Sequence, residues 1–298
     1  MEFVYHDNKT DSVPSGLNHQ TQSKSVLTDL KVIVAIPCFN TEHSIGQLVK
    51  RAKTYASEVI VVDDGSQDKT SEIAAASGAR VIKHHINRGK GAAMKTAAKH
   101  ADCDILVFID GDGQHNPEEI PMLLEPIIQG KADFVIGSRN LPKSKLTSNT
   151  IFRKIANKGA SCAISFVITV VQPLANFSQH PHFFLKNQGL KSIPITQNLE
   201  YRVLNGSFKW ITDCTSGFTA MKFDNWNKLN LNSNGYQIET EIIFEQARNG
   251  FIIAETPISC IGNNKLSKLS VIKDGLRTGM LLFTKLKDYS KENKKATL

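Results

Sequence analysis

Residues 105–117, Ile-Leu-Val-Phe-Ile-Asp-Gly-Asp-Gly-Gln-His-Asn-Pro, hold the residue types best suited to chemistry. Asp110, Asp112 and Gln114 recur at every second position, so in an extended chain they share a face and can aim three oxygens at one point. Hard oxygen donors of this kind suit Mg²⁺ or Mn²⁺, which keep water and often bind through one or two carboxylates plus substrate phosphates. Gly111 and Gly113 let the backbone bend close to a ligand. The plainer alternative is an acidic turn that only ends a strand.

The elements that must position this cluster follow from the run before it. Ile105–Ile109 is short, apolar and β-branched, as a strand buried on both faces should be. The same reading gives strands at Val32–Ile36, Val59–Val62, Ala79–Lys83, Phe134–Ile136 and Phe251–Glu255. Helices are expected from Asn40 or Thr41 to about Ser57, and over Asp68–Ser77, Ala92–His100, 117–129 and Gln237–Asn249. Strands and helices that alternate through short loops predict an α/β fold with a mostly parallel twisted sheet flanked by helices. Ligands of such sheets bind beyond the carboxyl ends of the strands. Pro37–Thr41, Asp63–Ser66, Asp110–Gln114 and Gly137-Ser138-Arg139 all fall there, with Asn87–Gly91 at a helix start nearby.

The outer parts of the chain are less regular. Residues 1–30 are polar without a period and read as a mobile tail. Residues 149–171 look helical, first basic and then apolar. The stretch 172–209 has no clean period and reads as an irregular insertion; its His180 and His182, spaced like metal ligands, read as surface. From Lys268 to Tyr289 a helical stripe of Leu269, Ile272, Leu276, Met280, Phe283 and Leu286 interleaves with Lys273, Arg277, Lys285 and Lys287. This basic amphipathic segment, 263–298, suits peripheral contact with an anionic membrane surface. The alternative is a helix packed on the sheet. The net charge of +8 in 298 residues favours anionic partners. Nucleic acid is not expected, because no binding motif or concentrated basic helix with aromatics is present. Five scattered cysteines without a C-x-x-C pair fit a reducing cytosol. The absence of a signal-like stretch or an apolar run of ~18–20 residues points to a cytoplasmic protein at the face of a membrane.

A dication, a loop at a helix start and several basic residues together suggest handling of a nucleoside diphosphate. Asn-Arg-Gly-Lys-Gly is not a Walker loop, and the first strand ends in Pro-Cys-Phe-Asn instead of a dinucleotide fingerprint. The ordered set Ile-Pro-Cys-Phe-Asn, Val-Val-Asp-Asp-Gly-Ser, Asn-Arg-Gly-Lys-Gly-Ala-Ala, Asp-Gly-Asp-Gly-Gln-His, Gly-Ser-Arg, Thr-Ser-Gly-Phe and Ser-Lys-Leu resembles the family-2 glycosyltransferases. Within them it is most similar to the dolichyl-phosphate mannosyltransferase and polyprenyl-phosphate glycosyltransferase group. The resemblance covers about 31–140 and 211–272.

The resemblance implies a GT-A domain over 31–262 and an inverting transfer of one hexose. The donor would be GDP-mannose or a UDP-hexose, the acceptor a polyprenyl or dolichyl phosphate. It places Pro37, Phe39 and Asp64 at the base and ribose, with Asp63 and Lys90 close to the nucleotide. Asp110, Asp112 and Gln114 match the metal-binding pattern. Arg139 and Arg153 match basic residues that receive sugar or acceptor phosphate, and Ser267-Lys268 a later phosphate-contacting element. Asp112, Arg139 and Arg153 are thus the expected catalytic residues. Thr41 departs from the Glu usual after Asn, with Glu42 one place late, and Asn157 stands where a Ser often helps hold the acceptor phosphate. A phosphate acceptor is already an anion, so positioning by arginines can replace base catalysis. A hydroxyl acceptor would need a base, and Glu239 and Glu241 are the candidates. The rival readings are a glycan hydroxyl acceptor, a silent nucleotide-sugar binder, and a phosphatase of the haloacid-dehalogenase type. The last usually carries D-x-D-G on its first strand and followed by Thr.

Overall fold

All seven residues of β1 (Val32–Cys38) are buried, as a strand covered on both faces must be. The computed structural model describes residues 30–144, 161, 164–165, 202–204, 211–261 and 277–288. β1 lies between β2 (Glu58–Asp63) and β4 (Ile105–Phe108), parallel to both, and β3 (Arg80–Lys83) extends the sheet beyond β2. The second half adds β5 (Phe134–Ser138), β6 (Arg202–Leu204), β7 (Thr219–Lys222) and β8 (Ile253–Pro257). Among the described residues the sheet order is β3-β2-β1-β4-β7-β5-β8-β6. β7 runs antiparallel to β4 and β5, and β6 antiparallel to β8, while β5 and β8 are parallel. The expected mostly parallel sheet is therefore present, with two reversed strands.

That topology decides what meets at the carboxyl edge. Cys38 pairs with Asp63, so the ends of β1 and β2 are level. Thr219 opposes both Phe108 and Ile136. The reversed β7 thus brings the turn before it, 213–218, to the same edge as Asp110 and Ser138.

Alternation along the strands feeds two apolar layers. Ile33, Ala35, Ile60, Leu106 and Phe108 pack with α3 (Lys90–Lys99) and α6 (Ile238–Arg248). Val34, Ile36, Val59, Val61 and Val107 pack with α1 (Ile45–Ala52) and α4 (Ile120–Ile128). Each fully buried aliphatic contributes roughly 1.5–3 kcal/mol of transfer free energy. In α1 Ile45, Leu48, Val49 and Ala52 are buried, one face at helical spacing. That helix starts later than Asn40 or Thr41: its N-cap is Ser44, without a side-chain bond. α2 (Thr70–Ala76) and the short α5 (Phe223–Trp226) complete these elements.

Two expectations need correction. The segment 172–209 is not irregular throughout, because β6 lies within it and pairs with β8; His180 and His182 lie outside the described residues. Lys285 does not belong to an outward basic face. On helix 277–288 it is buried, bonding Glu241 at 3.0 Å and Glu245 at 2.8 Å on α6. Leu282 is buried beside it, while Met280 and Phe283 face outward at 72% exposure each. Residues 1–29, Leu269, Ile272, Lys273 and Leu276 lie outside the described residues. Among the described residues no helix is long and apolar enough to cross a membrane.

Candidate active site

Asp110 follows β4 directly and its carboxylate meets a lysine from another element. Lys90, the first residue of α3, puts Nζ 2.5 Å from Asp110 Oδ1 and 2.5 Å from Glu239 Oε1 at the start of α6. The same Nζ lies 5.9 Å from the Tyr236 ring centre. α3 can open here because Gly89 takes φ 97° and leaves room for the Asn234 carbonyl, which a Cβ would strike. Burial alone would raise the Asp110 carboxyl, but Lys90 above all, then His115 and Arg139, hold it below the usual carboxylate range. Asp112 is exposed, yet desolvation by the surrounding site and then the Asp110 charge push it above that range. Burial likewise raises Glu239, against the pull of Lys90.

These carboxylates fit a divalent ion. Two hard anionic donors two residues apart, one of them raised by its neighbour's charge, are the donor type a dication prefers, and Lys90 meets only Asp110 of the two. A Cβ at Gly217 would collide with both Asp110 carboxylate oxygens, so the T-S-G-F turn leaves just enough room for that group. Among the described residues no cluster of three His, Cys, Asp or Glu is arranged to hold a metal. The third expected donor, Gln114, takes the Cys260 thiol on its Oε1 at 3.8 Å. The donor set at hand is therefore two carboxylates, the kind that relies on substrate phosphates to complete coordination. His115, beside it, is buried against Phe218 with ring centres 5.5 Å apart. Burial drives it down to about 4, so the ring is neutral near pH 7.

The residues expected at the base and ribose form the corner between β1 and β2. Pro37 is buried in β1 and Phe39 half-buried after it. Asn40 has φ 54°; its N–H donates to Ser66 Oγ and its Oδ1 accepts from Gln67 N. Thr41 N–H donates to Thr70 Oγ1, and Glu42 accepts the Lys69 amide at 3.1 Å. Asp63 and Asp64 are buried, and both bond within the fold. Asp63 accepts Ser66 N at 2.8 Å and the Ser71 hydroxyl. Asp64 meets His84 Nδ1 at 2.6 Å and accepts Arg88 N at 3.0 Å and Gly89 N at 2.7 Å. It thereby ties down the loop that presents Lys90.

Arg139, just past β5, is gripped as a fork by Asp213: Nε to Oδ2 at 2.7 Å and Nη2 to Oδ1 at 2.8 Å. Nη2 also reaches Thr215 O at 3.1 Å. Arg153, Asn157, Ser267 and Lys268 lie outside the described residues.

The profile of Glycosyl transferase family 2 matches residues 33–224. The chain is a member of this family. Its relatives include an uncharacterized protein of Methanocaldococcus jannaschii, 30% identical over 237 residues, covering 78% of this chain and 82% of that one. The undecaprenyl-phosphate mannosyltransferase of Micrococcus luteus is 28% identical over 255 residues, 80% of this chain and 88% of that one. The dolichol-phosphate mannosyltransferase of Pyrococcus furiosus is 34% identical over 139 residues, which spans 44% of this chain and 39% of that one. Among solved structures, glucosyl-3-phosphoglycerate synthase of Mycobacterium tuberculosis, in complex with Mn²⁺ and uridine-diphosphate-glucose, superimposes with a TM-score of 0.58. It is 19% identical and covers 91% of this chain and 84% of that one. The likeness is one of fold, and the fold of this glycosyltransferase is GT-A.

Two members of this site are hard to find by spacing. Tyr236 sits in a polar stretch with no period. Glu239 and Glu241 look alike in the sequence, yet only Glu239 reaches Lys90. Glu241 is fully buried and accepts Asn232 N and Ser233 N at 2.9 and 2.8 Å beside Lys285, so it fastens the C-terminal helix.

Proposed function

We propose that this glycosyltransferase moves a hexose, with inversion, from GDP-mannose or a UDP-hexose to a polyprenyl phosphate at the cytoplasmic face of a membrane. The observation that carries the reading is the Asp110-x-Asp112 pair at the end of β4, with Lys90 poised on Asp110. The names of the Micrococcus and Pyrococcus relatives support the acceptor class.

In this reading Asp110 and Asp112 hold Mg²⁺ or Mn²⁺, with Gln114 as a further donor once it leaves Cys260. The ion would neutralise charge on the departing nucleoside diphosphate. Lys90 turns from Asp110 toward the donor phosphates and adds a fixed cation. Pro37 and Phe39 supply the apolar wall for the base, and Asp64 shapes the loop around it. Arg139, Arg153 and Lys268 are the cations offered to sugar, acceptor and diphosphate. The acceptor phosphate needs no deprotonation, so orientation is what these residues contribute. The outward Met280 and Phe283 of helix 277–288, flanked by Arg277 and Lys287, suit contact with an anionic bilayer.

One observation favours a second reading. Glu239 has its carboxyl raised by burial and stands one lysine away from Asp110, so it could serve as the base for a hydroxyl acceptor. Incubation with GDP-mannose, UDP-glucose and UDP-N-acetylglucosamine, each with Mn²⁺, undecaprenyl phosphate and a mannose- or glucose-terminated oligosaccharide, tests both. Sugar in the lipid fraction is the expected result. Sugar only on a glycan hydroxyl would replace the acceptor, and donor binding without transfer would make the protein a silent binder.

A further inference from the structure

Glu255, in the middle of β8, is fully buried, and nothing described so far uses it. Its two oxygens have different surroundings. Oε1 accepts three hydrogen bonds: Thr212 N at 2.8 Å, Thr212 Oγ1 at 2.8 Å and Asp213 N at 3.2 Å. Oε2 has no hydrogen-bond partner among the described residues. A buried carboxyl with one oxygen unmet costs stability. Burial indeed pushes this one up to about 7. A leucine or valine would fill a β-strand core position without that cost. The three bonds on Oε1 therefore need a reason, and the segment they hold supplies one.

Thr212 is a junction. Its hydroxyl proton goes to Glu255, so the Ser138 hydroxyl donates to Thr212 Oγ1 at 2.6 Å. Its carbonyl accepts Asn140 Nδ2 at 2.7 Å. Ser138 and Asn140 are the two neighbours of Arg139. The next residue, Asp213, holds the Arg139 guanidinium as a fork and also accepts the Arg139 backbone N–H at 3.1 Å. The arginine is thus fixed through both flanking residues and its own head group, and all three routes end on residues 212 and 213, the pair that Glu255 grips. We propose that Glu255 is a positioning residue that clamps the 212–213 segment to β8 and thereby sets the direction of the Arg139 guanidinium at the catalytic edge.

The positioning stands on this geometry; its consequence for turnover rests on the transferase reading above. Two readouts on the full chain keep them apart: hydrogen exchange of the Arg139 Nε–H by nitrogen-15 NMR, and steady-state transfer with Mn²⁺, the donor panel and undecaprenyl phosphate. In Glu255→Ala the Nε–H should exchange about tenfold faster or more, and kcat should fall about 10–100-fold. Binding of Mn²⁺ with GDP or UDP should stay within about twofold, because Asp110 and Asp112 are untouched. Glu255→Gln keeps an acceptor at Oε1 and should restore both the slow exchange and most of kcat. A general loss of packing would not be rescued in this way. If the alanine variant does not fold, Thr212→Val, which removes one donor at constant shape, should move both readouts in the same direction. Unchanged Nε–H exchange in folded Glu255→Ala overturns the clamp, as does a glutamine variant as impaired as alanine. Exchange that responds as expected in a protein without transfer supports the clamp and sinks the transferase reading instead.

Discussion

Asp63-Asp64 and Asp110-Gly-Asp112 both close a parallel strand at the same edge, yet they are bonded in different ways. The adjacent pair bonds inward: its oxygens meet the amides of Ser66, Arg88 and Gly89, the Ser71 hydroxyl and the His84 ring. The spaced pair bonds to little of its own backbone. Asp112 accepts Gln114 N at 3.0 Å, and Asp110 faces a lysine side chain that it shares with Glu239. Backbone amides are fixed donors and commit a carboxylate to shaping a loop. A flexible cation leaves a carboxylate free to exchange partners. An aspartate at a strand end is a builder or a ligand according to which kind of donor reaches it first.

The comparison breaks most sharply at Asp112. Asp112→Ala should lower kcat by about 100- to 1,000-fold, by analogy with loss of one preorganised electrostatic contact, while thermal melting stays near wild type. A large drop in melting temperature would make Asp112 a builder like its counterparts. Asp64→Ala should do the reverse. It leaves the buried His84 ring unmet, at about 1–3 kcal/mol, and frees the part-buried Arg88 and Gly89 amides, and urea unfolding should register that loss before any assay does. Gly217→Ala tests the space around the spaced pair. Its Cβ presses on Asp110, so Mn²⁺ affinity by calorimetry should weaken about 10–100-fold, the range typical for residues behind a metal ligand. The smallest effect concerns pH. Glu255 has its carboxyl raised from 4.5 to about 7. Its contribution to stability is complete below the unfolded value and is lost as pH rises through 7. Among the described residues Asp213 is the charged group that acts on it, itself held by Arg139, and Arg202 is its cross-strand partner in backbone register. Wild type should therefore lose more melting temperature than Glu255→Gln between pH 5 and pH 8; parallel curves would show that Glu255 does not titrate there.

The first half of the fold is legible because its strands, β3 apart, are apolar runs rich in β-branched residues and ended by Pro, Asp or Gly. Expected and observed strands there differ by one or two residues, the usual uncertainty of strand ends. β7 is not legible: Thr-Ala-Met-Lys is four residues long and follows a turn. Missing it hides the key juxtaposition, since only a reversed strand between β4 and β5 brings Gly217 to Asp110. The spacing of Asp110 and Asp112 stands out in the sequence, but the meeting of Lys90 with both Asp110 and Glu239 depends on three elements far apart in the chain. Lys285 misleads for a related reason. A lysine on an amphipathic helix usually faces water, and here two buried glutamates on α6 draw it inward.

The placement of β7 also has a consequence for how the molecule comes apart. Its hydrogen bonds to β4 on one side and β5 on the other interleave the late chain with the early chain. A fragment ending after β5 would leave the β4 and β5 edges bare and the sheet split. Such a fragment should aggregate when expressed alone and turn soluble when the remaining chain is supplied in trans. The β1–β5 half is thus not a detachable cassette, and a split-reporter cut between β5 and β7 would make reassembly depend on one short central strand.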